Sequence, residues 1–288
     1  MATLKSVTVL APAKLNLALD VVGLLPNGYH NLDMTMQAIT LYERVVLRRS
    51  QNLSLTLPGS PVAANDSNTA IKAALAFFHY TGLLAGVEIT IYKNVPVRAG
   101  MAGGSTDAAS CMLALNDLYE LGLSKRQLMK RGVRLGADIP YCILKGTALS
   151  EGIGEKISTI PKMPDCYVLI CKPGIHVSTG FVYTNLVLDE NTPHPDIDYM
   201  ITCMKKKDLK TLCQNLGNVL ETVTIPAHPE IAKIKETMMQ EGALGSLMSG
   251  SGPTVFGIFD DLDKAKAAKA VCRKLPFKCF AFVTDLYR

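Results

Sequence analysis

Between residues 96 and 109 the chain reads Pro-Val-Arg-Ala-Gly-Met-Ala-Gly-Gly-Ser-Thr-Asp-Ala-Ala, and this stretch constrains the fold more than any other. Before it, the alternating run Val87 to Lys93 (VEITIYK) predicts a strand; after it, the alanine-rich run from Ser105 to Tyr119 predicts a helix. Small residues let the backbone turn tightly and bring several N–H groups close to an anion. The start of a helix adds unpaired N–H donors and a partial positive charge. Strand, small-residue loop and helix in that order predict a phosphate cradle. No Gly-Lys-Ser/Thr follows, so it is not a Walker A loop, and the G-x-G-x-x-G spacing of dinucleotide sites is absent. The same residues also fit a plain loop ahead of a helix that starts with small side chains.

The rest of the chain mixes the two periodicities. Strands are expected at residues 6–13, 15–22, 34–49 and 53–57, with a tight turn at Pro26-Asn27-Gly28. A helix is expected at 68–80, capped by Asp66 or Ser67, and another at 124–135. Residues 136–154 read as turn and strand, and 156–164 as a seam between domains. Beyond it come a buried strand at 167–171, short helices over 178–216 broken near 191–195, and a helix at 229–241. A glycine-rich turn before the strand TVFGIF, a helix at 262–275 and a last strand at 277–283 follow. Strands and helices occur in both halves, so the class is α+β. The domains are expected at 1–157 and 158–288.

At 288 residues and 48% hydrophobic composition the chain can bury a full core. Its net charge of +5 suits an anionic substrate, but the basic residues are scattered and 6% aromatic content without Trp gives no nucleic-acid signature. Eight cysteines form no C-x-x-C pair and no Cys/His ligand spacing, and most sit in apolar runs, which reads as reduced core thiols in a cytoplasmic protein. No signal-peptide core and no apolar stretch of about 20 residues is seen, so no membrane association is expected.

Three further segments carry chemistry. In Ala11-Pro12-Ala13-Lys14-Leu15-Asn16-Leu17 a lysine stands between apolar strand segments, where a compact charge suits phosphate or a carboxylate. Read alone, it fits better as a solvated lysine at a strand end. In Gly136-Ala137-Asp138-Ile139-Pro140 the carboxylate suits a proton acceptor for a hydroxyl nucleophile. In isolation Asp138 fits better as the cap of a short helix. Ser249-Gly250-Ser251-Gly252-Pro253-Thr254 fits a ligand-facing N–H turn and a structural turn equally.

These four segments in this order resemble the superfamily of galactokinase, homoserine kinase, mevalonate kinase and phosphomevalonate kinase. APAKLNLALDV, NGYHNL (27–32), GADIPYCILKGTALSEGIGEKI (136–157), KPGIHVSTGFVY (172–183) and SGSGPTVF (249–256) resemble its 4-diphosphocytidyl-2-C-methyl-D-erythritol kinase family. The resemblance runs from Lys14 to about Phe259. It implies an ATP-binding N-terminal domain like ribosomal protein S5 and a ferredoxin-like, substrate-binding C-terminal domain, flanking a cleft. It implies transfer of the γ-phosphoryl group of ATP to the 2-hydroxyl of a cytidine-diphosphate-linked methylerythritol in isoprenoid precursor synthesis. Asp138 would be the base and Lys14 would orient it and stabilise charge. Pro96, Gly100, Ala102, Gly103, Gly104, Ser105 and Thr106 would form the nucleotide loop, with Asn68 and Lys93 near the nucleotide. Asn16, Tyr29, His30, Thr179, Tyr183, Gly250 and Gly252 would lie on the substrate side, with the Tyr29 and Tyr183 rings sandwiching the cytosine. Mg²⁺ is expected, with Ser105 as its one weak candidate ligand.

The chain departs from the family pattern at Arg98, Ala99 and Ala102, where many members carry glycine, and at Tyr183, where phenylalanine is common. Ala102 is expected at ordinary φ/ψ and Arg98 is expected to point away from the cradle. The competing readings are a sister kinase with another small alcohol, a non-catalytic nucleotide-binding relative and an RNA-binding protein. Tyr29-His30 and Tyr183 argue against the first, retention of Lys14 and Asp138 against the second, and the low aromatic content against the third. Nothing in the sequence signals an oligomeric state.

Overall fold

A computed structural model describes residues 4–26 and 28–288. Asn27, at the centre of the expected turn, lies outside the described residues. Two long strands, β1 (Ser6–Leu24) and β2 (His30–Ser50), are neighbours in one sheet. The chain divides into two compact units, and both strands run through the division. The first unit takes the chain up to Ala13, Leu41–Val97 and Ala102–Lys145; the second takes Lys14–Thr40, Arg98–Met101 and Gly146–Arg288.

In the first unit β3 (Ser54–Thr56) pairs in parallel with β4 (Gly86–Tyr92), and β4 pairs antiparallel with β2 from Arg44↔Tyr92 to Ser50↔Gly86. The expected alternation holds: Val87, Ile89, Ile91, Val45 and Leu47 are fully buried. Four helices complete the unit: α1 (Thr69–Thr81), α2 (Gly103–Leu118), α3 (Lys125–Gly132) and α4 (Ile139–Leu144). The cap of α1 is Asn68, not Asp66 or Ser67; its Oδ1 accepts the Ala70 N–H at 2.9 Å, and Gly82 ends the helix in the left-handed conformation. In α2 ten side chains are buried, four of them alanine or serine, because small residues let a helix sit against its neighbours on more than one face.

In the second unit β5 (Thr147–Gly152) pairs antiparallel with β2, β6 (Lys156–Thr159) pairs with β5, and β8 (Gly217–Asn218) pairs in parallel with β1. A separate antiparallel sheet has the order β11-β7-β10-β9, from β7 (Tyr167–Pro173), β9 (Gly245–Met248), β10 (Val255–Phe259) and β11 (Cys279–Asp285). β10 is buried along its whole length, as its unbroken apolar run requires. The helices are α5 (Thr179–Thr184), α6 (Ile197–Lys206), α7 (Leu209–Gln214), α8 (Glu221–Ala227), α9 (Pro229–Gln240) and α10 (Leu262–Cys272).

Several elements differ from expectation. β1 does not stop at Pro12, because a proline costs a strand only one N–H donor. The Pro12 carbonyl also accepts the Thr106 hydroxyl at 2.9 Å. β6, within the expected seam, is half of a hairpin with β5. β8, α8 and β9 have no counterpart in the sequence reading, and α4 is the short helix that the capping alternative at Asp138 called for. α8 carries four β-branched residues and Pro226, so packing rather than propensity makes it helical. All eight cysteines are free; six are buried, and Cys166 and Cys279 are half-buried. Among the described residues no helix is long and apolar enough to cross a membrane.

Candidate active site

In the first unit the cradle is the start of α2. The helix begins at Gly103, and Ala102 at its N-cap has φ 56° and ψ 30° with no side-chain cap bond. The expectation of ordinary backbone angles for Ala102 is therefore overturned. A left-handed alanine costs roughly 1–2 kcal/mol, and Arg98 adopts the same region with φ 51°. With no capping oxygen at Ala102, the first-turn N–H groups stay available to an anion. Two hydroxyls fix this turn: Thr106 donates to the Pro12 carbonyl at 2.9 Å, and Thr69 donates to the Gly104 carbonyl at 2.8 Å. Asn68, expected near the nucleotide, spends its carboxamide on structure, since its Nδ2 also donates to the Ala63 carbonyl at 3.0 Å. Ser105 lies half-buried in the first turn of α2, and Pro96, also half-buried, opens the loop.

Lys93 does not stand free beside the cradle. Its Nζ lies 2.6 Å from Glu43 Oε1 and 2.6 Å from Asp107 Oδ2. Glu43 Oε2 accepts the backbone N–H of Asn94 at 2.5 Å and of Val95 at 3.3 Å. A Cβ on Gly103 would sit 3.7 Å from Glu43 Oε1 and 3.8 Å from Lys93 Nζ, so the cluster underlies the first residue of α2. One ammonium cannot offset two buried carboxylates. Burial accordingly pushes the Asp107 carboxyl up to about 7 despite Lys93, and Asp107 Oδ1 has no hydrogen-bond partner. The two carboxylates hold the Lys93 ammonium in its charged form, outweighing its desolvation. Glu43 and Asp107 escaped the sequence reading; the available signal was a glutamate in the apolar run LYERVVL, at a position that is fully buried.

Asp138 stands at the N-cap position of α4, with Pro140 in the first turn, as the capping alternative required. Its side chain makes no capping hydrogen bond, however, and its backbone is already helical (φ −77°, ψ −14°). The half-buried carboxylate is not consumed by the helix end.

In the second unit Lys14 is 5% exposed, within β1 rather than at a strand end, which removes the solvated-lysine reading. Its Nζ donates to Asn16 Oδ1 at 2.6 Å, and its backbone N–H donates to the Met101 carbonyl at 3.2 Å. Residues two apart on a strand share a face, so Lys14 and Asn16 project together. The turn at 249–252 meets the other end of the loop: Ser249 Oγ donates to the Gly100 carbonyl at 2.9 Å and accepts the Asn16 N–H at 3.3 Å. Gly100 must be glycine, since its φ is 70° and a Cβ would lie 2.1 Å from the Ser249 carbonyl oxygen. A Cβ on Gly250 would be 3.3 Å from the Gly100 carbonyl oxygen and 3.5 Å from Asn16 Oδ1. Ser251 shares a hydrogen bond with Thr179 at 2.8 Å, and Gly252 precedes a cis Pro253. The rings of His30 and Tyr183 lie 4.9 Å apart, tilted by 41°, and Tyr29 is 61% exposed. Arg98 lies 3.5 Å from His176 Nε2. Within this unit, then, Asn16, Gly100, Gly250 and Lys14 come together, as do His30 with Tyr183 and Thr179 with the turn.

Residues 68–146 match the family described as GHMP kinases N terminal domain, and residues 200–276 match GHMP kinases C terminal. The 4-diphosphocytidyl-2-C-methyl-D-erythritol kinase of Lachnoclostridium phytofermentans is 47% identical over 279 residues, 96% of each chain. That of Lachnospira eligens is 44% identical over 273 residues, covering 94% of this chain and 95% of its own. A solved 4-(cytidine 5'-diphospho)-2C-methyl-D-erythritol kinase superposes with a TM-score of 0.82 at 29% identity, covering 97% of this chain and 99% of that one.

Proposed function

Because the chain belongs to the 4-diphosphocytidyl-2-C-methyl-D-erythritol kinase family of the GHMP kinases, we propose that its substrate is the cytidylylated methylerythritol that names its relatives. The chain is an ATP-dependent small-molecule kinase, a transferase of isoprenoid precursor synthesis. Its reaction moves the γ-phosphoryl group of ATP to the 2-hydroxyl of that substrate. The observation that carries this reading is identity of 47% over 96% of the chain, with Lys14, Asp138 and the glycine loop all present. A sister-kinase substrate and a non-catalytic role are not favoured.

The chemistry asks for position and charge more than for covalent help. Asp138 takes the proton from the substrate hydroxyl as its oxygen forms the new bond to phosphorus; the bond from the γ-phosphorus to the bridging oxygen breaks, and ADP leaves with the electron pair. An unspent carboxylate on a short helix supports this assignment. Lys14 offsets the charge that grows on the transferred group, and its burial strengthens that interaction. Gly100, Ala102, Gly103, Gly104, Ser105 and Thr106 receive the triphosphate at the start of α2. Asn16, Thr179, Gly250 and Gly252 serve the substrate polyol and diphosphate, while Tyr29 and Tyr183 stack on the cytosine and His30 reads its polar edge. Asn68 and Lys93 support the nucleotide from beneath, through the cap of α1 and the ion cluster.

Mg²⁺ is the partner such phosphate chemistry takes, bound by nucleotide phosphates, water and one or two protein oxygens. The hard hydroxyl oxygen of Ser105 in the first turn of α2 fits that role. When bound, the ion neutralises the phosphate oxygens. The division after residue 157 is proposed as the domain boundary. A mixed sheet and the mutually packed helices α1 to α4 support an S5-like N-terminal domain, and a four-stranded antiparallel sheet packed by α9 and α10 supports a ferredoxin-like C-terminal one. The cytoplasm, where ATP is abundant, is the proposed location. The test is ATP turnover on a panel of cytidylylated and plain polyols: turnover confined to the cytidylylated methylerythritol is expected, and equal turnover of the plain polyol would overturn the substrate assignment.

A further inference from the structure

One buried carboxamide ties the catalytic side of β1 to the glycine turn. Asn218 is 6% exposed and sits in β8, paired with Leu19 of β1. The Val219 N–H donates to the Leu19 carbonyl at 3.0 Å, which fixes the residue against the strand that bears Lys14 and Asn16. Its Nδ2 donates to two carbonyls, that of Met248, the last residue of β9 before the turn, at 2.8 Å, and that of Gly250 within the turn at 2.8 Å. Its Oδ1 accepts the Leu220 N–H at 3.0 Å. Two carbonyls on one end and an N–H on the other leave only one orientation for the amide, and only an amide satisfies all three. From the turn the connection continues through Ser249 to the Gly100 carbonyl and the Asn16 N–H. Glu221 fixes the same turn from outside: Oε1 accepts the Met248 N–H at 2.8 Å, and Oε2 lies 2.5 Å from Lys235 Nζ.

We infer that Asn218 is a positioning residue for phosphoryl transfer, holding the 249–252 turn at the spacing that sets Gly100 and Asn16, and through Asn16 the Lys14 ammonium. It touches no substrate itself. The inference rests on the kinase reading above, and its requirement is geometric: a turn displaced by about 1 Å at a remove from the reacting atoms can cost about 10²-fold in rate.

Asn218→Asp is the sharpest probe, because it keeps the shape and replaces both donations by a carboxylate facing two carbonyls. It is expected to lower kcat by about tenfold to a hundredfold, with a smaller change in KM for the alcohol, since the cytosine contacts lie elsewhere. Lowering the pH should partly restore kcat relative to the parent, because the protonated carboxyl regains one donor. Val219→Ala, a buried neighbour with no hydrogen bond from its side chain, serves as the stability control. If Val219→Ala lowers kcat as much as Asn218→Asp does for the same loss of Tm, the positioning role falls. Should Asn218→Asp fail to fold, Asn218→Ser and Ser249→Ala take its place, singly and together. They interrupt one connection, so their effects on kcat should be far from additive, and additive effects overturn the inference. All comparisons use whichever alcohol the parent enzyme phosphorylates best, so a wrong substrate assignment appears in the parent and not in the variant ratio.

Discussion

Lys93→Met separates two roles that the same lysine could play. As a nucleotide contact, its loss would raise KM for ATP and leave the fold alone. As the counter-ion of Glu43 and Asp107, both within 2.6 Å, its loss strands two carboxylates whose side chains are 0% and 7% exposed. Removing one partner of a buried ion pair costs about 3–5 kcal/mol. For a chain of 288 residues that is a fall in Tm of roughly 5–8 °C. The penalty carries a pH signature. The Asp107 carboxyl is raised from 3.8 to about 7 in the folded protein, so the folded chain binds a proton more readily than the unfolded chain across that interval. Stability of the parent therefore falls as pH rises from about 4 to about 7, by up to about 4 kcal/mol. Without Lys93, which opposes the rise, the Asp107 carboxyl holds its proton to higher pH, so the Tm deficit of the variant should be small near pH 5 and grow through pH 7 to 9. Thermal melts of both proteins across that range, with KM for ATP measured on the same preparations, decide the matter. A Tm deficit that does not change with pH would refute the counter-ion argument. Parent-like melting at pH 8 with a raised KM for ATP would make Lys93 a direct nucleotide contact.

Three further outcomes are expected. Asp138→Asn should lower kcat by roughly 10²–10⁴-fold with unchanged Tm, because its side chain makes no cap bond that the fold would miss; steady-state rates and melting curves check both halves. Lys14→Met should lower kcat more than it raises KM for ATP, since its charge is used most in the transition state, and a change in KM alone would make it a ground-state contact. Tyr183→Ala should raise KM for the cytidylylated substrate about tenfold or more while Tyr183→Phe stays near the parent, because stacking needs the ring. A lower Tm with both KM values unchanged would instead make Tyr183 a packing residue.

What could be read from the sequence was what is local. The small-residue loop and α2 show in the order of residues 96–118 because a strand, a tight turn and a helix start each leave their mark within a few positions. The α1 cap was missed by one or two residues for the same reason in reverse: Asp66, Ser67 and Asn68 are all good caps, and only the bond from Ala70 N–H singles out Asn68. The left-handed Ala102 was misjudged because alanine gives no hint of positive φ; the surrounding loop imposes it. Contacts made at long range left no trace. Ser249 reaches Gly100 across 149 positions, and the two residues of β8 are too few to show any periodicity. Lys14 and Asp138 could be assigned roles only through family resemblance, since each alone has an ordinary explanation.

The interleaving of the two units bears on how the chain is made. By the time a ribosome has added Lys145, every stretch of the first unit exists, but the second holds only Lys14–Thr40 and Arg98–Met101. Residues 11–21 of β1 are buried without interruption in the finished protein, yet β8, the neighbour on the side away from β2, which pairs with Ala18 and Leu19, is not synthesised until residues 217–218. At an elongation rate of about 5–20 residues per second, that apolar segment waits about 10–40 s for this neighbour. Nascent chains stalled between residues 146 and 216 should therefore be the species that chaperones hold and that aggregate on release, and fragments ending in that interval should be insoluble when expressed alone.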